Sequence, residues 1–413
     1  MLIQKAFKYR LRTTPLVEEK LRRMAGCRRF VWNNGLAAIK SALDADKKRP
    51  GYKHLCTDLL TTKLKYPFLS GDAVAQSLQQ TLKDLDRAVK DAFDKKQPLK
   101  AFPVFKKKGK SAESFRIPQG FQVDHGNSRI RLPKLGWLRY RDSRELTGIP
   151  KNVTVSLRDG RWYISIQTEQ EVVEPVHQST KQIGGDRGIN SFLAMSDGTL
   201  IQPLNAFKLA SRKLARMQRQ LSRKVKFSEN WKKCKARIAK LHSRIAAMRK
   251  DFLHKLSTTI AKNHGLVVLE DLKIGNMTAS ASGSIAAPGK RVKQKSGLNR
   301  AILDQGWGEF ARQLEYKLKW LGGKLLKIPP PYTSQRCSSC GHVHAGNRKD
   351  QKFICLSCGF TEHADINAAK NILVAGLAVL ACGEHQEVTG SVKQEPTGGA
   401  VLSQHKLSES QGF

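Results

Sequence analysis

Two cysteine pairs constrain this chain more than any other feature. Cys337 and Cys340 stand in CSSC, Cys355 and Cys358 in CLSC, with fourteen residues between the pairs. A Cys-x-x-Cys turn aims two thiolates at one point. A hairpin between two such turns then brings four thiolates round one tetrahedral ion, and Zn²⁺ suits that set. Gly341 and Gly359 follow the second cysteine of each pair, where a tight turn needs a residue tolerant of positive φ. Residues 337–362 therefore predict a zinc ribbon in which all four cysteines hold a structural Zn²⁺. Four thiolates close the coordination shell, so no catalysis is assigned to this metal. His342, His344 and His363 lie nearby, and a place at the surface or against nucleic acid fits them better than ligation. Cys27, Cys56, Cys234 and Cys382 are scattered, which fits reduced thiols and a cytoplasmic protein rather than a disulfide framework.

The charge narrows the partners. The 413 residues include 74 Lys and Arg against 34 Asp and Glu, a formal net charge of +40. A compact chain with that excess repels itself unless a polyanion neutralises it, and nucleic acid is the usual one. A membrane-surface or ribosomal protein is the alternative, but the basic residues run through almost the whole chain rather than one tail. The longest apolar stretch, 372–382, is too short to span a bilayer, and MLIQKAFKYRLR lacks the apolar core of a signal peptide. No membrane association is expected.

The hydrophobic pattern divides the chain. Residues 2–12 alternate as a strand. From Pro15 to about Leu43, and again after Pro67 with Asp72 as a candidate N-cap, apolar residues recur at helical spacing. Residues 15–97 thus predict a small helical unit with a helix-turn-helix-like start, inserted into a β-rich module of residues 1–14 and 98–178. FRIP, FQV, RIRLP, GWLRYR, NVTVSLRDG and RWYISIQTE read as its strands, with Asp159–Gly160 as a hairpin turn. Residues 175–181 read as a linker. QIGGDRGINSFLAMSDGTLI follows as strand, turn, strand, turn, strand, with Asp197 a turn residue. Residues 207–263 form a basic helical hairpin broken near 227–230, in which Glu229 is the one acid between Phe207 and Lys250. Solvated helices usually mix signs, so this pair is read as facing nucleic acid. GLVVLEDL is a short buried strand. Residues 275–298, rich in Gly, Ser, Ala and Lys, read as a mobile loop. A helix over about 299–321, a strand KLLKIPP and a helix over about 366–380 complete the second half. Residues 382–413 read as a disordered tail.

Three acids sit in comparable settings. Asp186 ends a strand in GGDRGIN, Glu270 ends VVLE, and Asp365 opens the helix INAAKNIL. Taken singly, each has a plain reading: a Gly-rich turn, a strand-end surface acid beside Asp271, and a helix N-cap. Together, converging at one sheet edge in a basic protein, they call for divalent cations. Mg²⁺ prefers carboxylate oxygens, and such ions promote phosphodiester hydrolysis.

With these motifs in view, the order GGDRGI, VVLEDL, PPYTSQRCSSCGH, CLSCG, HADINAAKNIL resembles the TnpB family, also called OrfB, of bacterial insertion sequences. It is similar too to the compact type V CRISPR effectors related to that family. The resemblance runs from KYRLRTTP and FVWNN to KNIL at 370–373. It implies an α/β plus β chain: an RNase H-like, RuvC-type nuclease domain over 179–336 and 363–381 with the inserted ribbon, preceded by a wedge-like β-barrel carrying a helical recognition insert. It implies that Asp186, Glu270 and Asp365 are the catalytic acids and hold Mg²⁺ or Mn²⁺. It further implies a guide RNA from the element's own end, which we expect to lie in a basic channel between the N-terminal module and the helical hairpin. Base pairing by that RNA would direct cutting of double-stranded DNA beside a short adjacent motif. The loop 275–298 would act as a lid, and Arg336 and Lys349 would steer the cut strand. The chain departs from many relatives in carrying Arg187 after Asp186, and a side chain following a strand acid is expected to point away from the metal site. Members carry the name transposase, although a separate recombinase typically moves the element. The rival readings are an RNase H-like strand-transfer transposase and a nuclease-inactive DNA-binding regulator. A monomer and a homodimer both remain open.

Overall fold

The computed structural model describes residues 1–97, 100–109, 111–284, 287–329 and 333–388. The chain divides into two compact units, Met1–Val176 with Ala206–Asp251, and His177–Asn205 with the chain from Phe252 onward.

Unit 1 is built on β1 (Leu2–Leu11), which alternates buried and accessible residues as its sequence dictates. Six more strands follow the helical insert: β2 (Ser114–Ile117), β3 (Gln122–Asp124), β4 (Arg129–Leu132), β5 (Gly136–Arg141), β6 (Ile149–Arg158) and β7 (Arg161–Glu171). They form one seven-stranded sheet in the order β2-β6-β7-β1-β5-β4-β3. The N-terminal strand is therefore central, pairing antiparallel with β7 along its length and with β5 at its end. Where a wedge-like β-barrel was expected, the sheet is a curled half-barrel whose edge strands β2 and β3 are not hydrogen-bonded to each other. Asp159 and Gly160 both take positive φ, the backbone that closes the β6–β7 hairpin in register.

The insert holds α1 (Pro15–Asp44), α2 (Tyr52–Lys65), α3 (Phe68–Asp72) and α4 (Ala75–Phe93). Thr14 caps α1 through a hydrogen bond from the Val17 N–H. The helix α2 was not legible as a separate element, and Asp72 ends α3 rather than capping α4, whose N-cap is Val74. The FVWNN motif in α1 fastens the basic loop that follows the insert. Trp32 Nε1 donates to the Val104 carbonyl, and Asn33 bonds both the N–H and the carbonyl of Lys106. The basic hairpin is α5 (Ala206–Ser222) and α6 (Glu229–Asn263). It was expected to belong wholly with the nuclease core, but its residues up to Asp251 group with unit 1. Local ties account for this: Cys234 Sγ meets the Met217 carbonyl, and Ser243 Oγ donates to Asp159 in the β6–β7 turn.

Unit 2 centres on a five-stranded sheet of β8 (Gln182–Asp186), β9 (Leu193–Met195), β10 (Leu200–Ile201), β11 (Leu266–Glu270) and β12 (Lys324–Ile328). The order is β10-β9-β8-β11-β12; β8, β11 and β12 run parallel, and β9 and β10 return antiparallel. The apolar run LVVL in β11 feeds two cores. Val267 and Leu269 pack with Phe192, Phe310 and Leu314, while Leu266 and Val268 pack with Ile328 and Ile372. A strand buried on both faces needs an unbroken apolar run, which VVL supplies. The helices are α7 (Ile274–Met277), α8 (Val292–Gln305), α9 (Trp307–Leu321) and α10 (Ala364–Val388). Gly306, at φ 75°, breaks the helix expected over 299–321 into α8 and α9, and residues 292–298 of the expected loop are the start of α8. The helix α10 extends through residues 382–388 of the expected tail, and residues 389–413 lie outside the described residues. A small sheet of β13 (Arg348–Lys349), β14 (Lys352–Ile354) and β15 (Thr361–His363) forms the ribbon.

Among the described residues one helix, Ala364–Cys382, is long and apolar enough to cross a membrane by length and composition alone. Its inner face is instead committed to the sheet of unit 2. Ala368, Ala369 and Ile372 are buried, and so are the polar Asp365, Asn367 and Asn371.

Candidate active site and zinc centre

The four ribbon cysteines meet as their spacing requires. Cys337 Sγ lies 3.8 Å from Cys358 Sγ and Cys340 Sγ 3.6 Å from Cys355 Sγ, and all four sulfurs fall within 4.8 Å of one another. The two turns are built alike. The Gly341 N–H donates to the Cys337 carbonyl and the Gly359 N–H to the Cys355 carbonyl, each at 3.0 Å, with φ of 80° and 72° at the glycines. Backbone N–H groups, chiefly that of Cys358, hold the Cys355 thiol down to about 7, while at Cys358 the backbone bond at Phe360 is outweighed by bonds to the Cys340, Cys355 and Cys337 thiols, which push it up, so the two thiols titrate as a pair. Among the described residues this is the one group of three or more His, Cys, Asp or Glu whose ligand atoms are that close. The histidines do other work: His344 Nδ1 accepts from the Gly346 N–H, and His363 Nδ1 accepts from the Asp365 N–H.

The three acids come to one end of the unit 2 sheet. In the parallel β8–β11 ladder Leu269 pairs with Gly185, so Asp186 and Glu270 are the next residues on neighbouring strands. Asp365 lies in the first turn of α10, which packs across β8. Gly184 sets that approach. A Cβ there would lie 2.2 Å from the Ala369 carbonyl oxygen and 2.8 Å from the Leu373 backbone nitrogen, so only glycine lets α10 sit so close. The glycine pair before Asp186 is thus a packing device that fixes Asp365 relative to Asp186. The Asp186 carboxyl is raised to about 7. Burial is the largest cause, followed by the charges of Glu270 and Asp365, while Arg348 and Arg187 oppose the shift.

Each acid has a defined partner. Thr333 Oγ1 donates to Glu270 Oε1 at 2.7 Å. Arg348 Nη2 donates to Asp365 Oδ1 at 2.7 Å, so Asp365 is engaged through its carboxylate and does not act simply as a cap. Arg187, expected to point away from the metal site, bonds to backbone rather than to an acid. It is buried, its Nη2 donates to the Glu270 carbonyl, and its Nε has no hydrogen-bond partner among the described residues. Burial also lowers its pKa.

The ribbon is bolted to α10 by the asparagines of DINAAKN. Asn367 accepts from the Ser338 N–H and donates to the Arg336 carbonyl; Asn371 donates to the Thr333 and Arg336 carbonyls. Of the residues expected to steer DNA, Arg336 serves here through its backbone. Lys349 is exposed on β13, and its neighbour Arg348 is the ribbon residue that reaches an acid. Thr333, Arg348, Asn367 and Asn371 were missed, since side chains meeting across a ribbon and a helix leave no periodic signal. The arginine one residue before Lys349 was the nearest available cue. Asp197 is a turn residue as expected, its Oδ1 accepting from the Thr199 N–H.

Comparison with known proteins agrees with this architecture. The OrfB family of IS605 elements, described as "Probable transposase", matches residues 165–281, and its helix-turn-helix domain matches residues 1–48. A "Cas12f1-like, TNB domain" matches residues 307–372. The chain is 52% identical over 395 residues to the "Putative RNA-guided DNA endonuclease InsQ" of Escherichia coli (strain K12), covering 95% of this chain and 97% of that one. It is 35% identical over 409 residues to a "Putative RNA-guided DNA endonuclease" of Streptomyces pristinaespiralis, covering 95% and 96%. A Cas12f1–sgRNA–target DNA complex solved by cryo-EM shares the fold, with a TM-score of 0.54 at 16% identity over 90% of this chain and 98% of that one. The chain belongs to the TnpB/OrfB family of insertion-sequence proteins.

Proposed function

We propose that this protein is an RNA-guided, divalent-metal-dependent DNA endonuclease, with Asp186, Glu270 and Asp365 as its catalytic acids. The observation that carries the reading is electrostatic. Three carboxylates from β8, β11 and α10 are gathered closely enough that Glu270 and Asp365, added to burial, lift Asp186 to about 7. Such a cluster is costly in a protein that needs no cation there, and perturbed carboxyls of this kind gather at functional sites. The sheet order, with an antiparallel β10-β9-β8 meander followed by parallel β11 and β12, supports an RNase H-like, RuvC-type core. The names carried by the relatives support the guide RNA and the DNA substrate.

The oxygen-rich donor set fits Mg²⁺ or Mn²⁺, and the four cysteines fit Zn²⁺. Bound at the acids, the divalent cation would supply the positive charge that stabilises the phosphate being hydrolysed. The chain's own residues prepare the site. Gly184 lets α10 bring Asp365 to Asp186, Thr333 orients Glu270, and Arg187 ties the Glu270 backbone to the end of β8. Arg348 holds the Asp365 carboxylate, which with Asp186 and Glu270 would hold the cation. The ribbon, fixed to α10 by Asn367 and Asn371, makes the zinc centre a support of the acidic site.

The test is to co-express the chain with its flanking RNA and challenge the purified particle with a plasmid library. The library carries the guide-matched target beside randomised bases. Simple Mg²⁺-dependent breaks beside one short motif are expected. Joined ends would point to strand transfer, and tight binding without breaks to a regulator.

A further inference from the structure

Arg187 follows Asp186 directly at the end of β8 and is only 8% exposed. A guanidinium keeps its charge at any ordinary pH, and burying one is costly unless it is paired. Its direct bonds do not supply that pairing. Nη2 donates to the Glu270 backbone carbonyl, a neutral group, and Nε has no hydrogen-bond partner among the described residues. The ion pair at this end of the sheet belongs to Arg348, which reaches Asp365 from the ribbon with its side chain partly exposed. What Arg187 feels instead is the field of the acids. Burial lowers its pKa, and the charges of Glu270, Asp186 and Asp271 raise it. The interaction is mutual, since the Arg187 charge is one of the two that oppose the upward shift of Asp186.

Three carboxylates gathered at one sheet end repel one another whenever no cation lies between them. A mobile cation cancels that repulsion only while it is bound. A buried guanidinium cancels part of it permanently, and salt screens a buried charge little. The same positive charge repels an arriving divalent ion. The backbone bond does not by itself call for arginine, because a neutral amide side chain could donate to the Glu270 carbonyl equally well.

We propose that Arg187 is a positioning residue whose fixed charge keeps the Asp186 and Glu270 carboxylates assembled in the cation-free protein and loosens the grip of the site on Mg²⁺, so that the metal exchanges readily. The proposal rests on the reading of Asp186, Glu270 and Asp365 as a cation site and adds a built-in counter-charge to it.

The experiment is calorimetric titration of Mg²⁺ into the full chain at pH 8.5, above the value of about 7 at Asp186, with Asp186→Ala as the blank. Arg187→Gln keeps a donor for the Glu270 carbonyl and removes the charge. It should bind Mg²⁺ roughly tenfold more tightly, as one unit charge acting on a divalent ion through a partly polar surround requires. Arg187→Lys keeps the charge and should stay within about twofold of the wild type. Without Mg²⁺ the Arg187→Gln protein should melt below the wild type, and saturating Mg²⁺ should raise its melting temperature by more. Arg187→Gln/Asp271→Asn removes a negative charge together with the positive one. It should bring the affinity back toward the wild-type value, and it keeps the test in force where Arg187→Gln alone does not fold. Weaker Mg²⁺ binding by both single variants would reduce Arg187 to packing, and unchanged affinity in both would reduce it to its backbone bond; either result overturns the proposal. A wild type that takes up no more Mg²⁺ than the Asp186→Ala blank would instead sink the cation-site reading itself.

Discussion

Gly184→Ala tests whether the glycine pair before Asp186 sets the geometry of the acidic site. The new Cβ would lie 2.2 Å from the Ala369 carbonyl oxygen, and both the Leu373 nitrogen and its Cβ would lie 2.8 Å away. These are backbone atoms and a Cβ, with no rotamer that could move aside. Relief to ordinary contact requires α10 to retreat by about 1 Å, and overpacking of this kind costs about 1–3 kcal/mol. Because Asp365 is carried in the first turn of α10, the same retreat moves it relative to Asp186. A displacement of about 1 Å in a catalytic constellation can cost about 100-fold in rate. The variant should therefore melt several degrees lower, bind RNA normally and cut target DNA about 100-fold more slowly at saturating Mg²⁺. Gly275→Ala, where a Cβ would meet nothing within 4 Å, is the control and should leave both properties unchanged. A Gly184→Ala protein with wild-type melting and wild-type cutting would refute the argument that close helix–strand approach positions the acids.

Three further outcomes are expected. The folded-state pKa of Asp186, about 7, lies above its ordinary value of 3.8, so its contribution to stability is fully present below about pH 4 and is lost as pH rises through 7. In Mg²⁺-free buffer Asp186→Asn should thus stabilise the protein most at pH 8, with a ceiling of about 4 kcal/mol from the shift, and hardly at all at pH 4; thermal melts across pH measure it. The same proton competes with the cation, so Mg²⁺ affinity followed by calorimetry should weaken as pH falls below 7. Cys340→Ser should abolish zinc by metal analysis and cutting with it, whereas Asn371→Ala should keep its zinc and lose about tenfold in cutting rate, since it loosens only the bolt between ribbon and helix.

Much of the site was legible because its signals are local. The Cys-x-x-Cys spacing is a complete statement of a metal site, and the structure brings its sulfurs together. Strand-ending acids after Gly-Gly and Val-Val-Leu could be recognised because a buried parallel strand must read as an apolar run. The β6–β7 turn announced itself through Asp159–Gly160. What stayed hidden depends on contacts between distant segments. Whether a curled sheet closes is decided by pairing of β2 with β3, on which no single strand reports. Arg187 was expected only to point away from the metal site, and its bond to the backbone carbonyl of Glu270, far along the chain, has no local signal. Nothing in AILDQGWGEF but the positive φ at Gly306 separates α8 from α9, and glycine inside a helical pattern is ambiguous. The division of α6 between the units is a tertiary fact, invisible in an unbroken helical periodicity.

The most direct test of the central claim is guide-directed cleavage by Asp186→Ala, Glu270→Ala and Asp365→Ala, each assayed beside the wild type for RNA retention and target binding. The account predicts that all three keep RNA and bind target DNA while Mg²⁺-dependent cutting is lost. A variant that cuts at the wild-type rate would remove its residue from the catalytic set, and undiminished cutting by all three would place the nuclease site elsewhere in the chain.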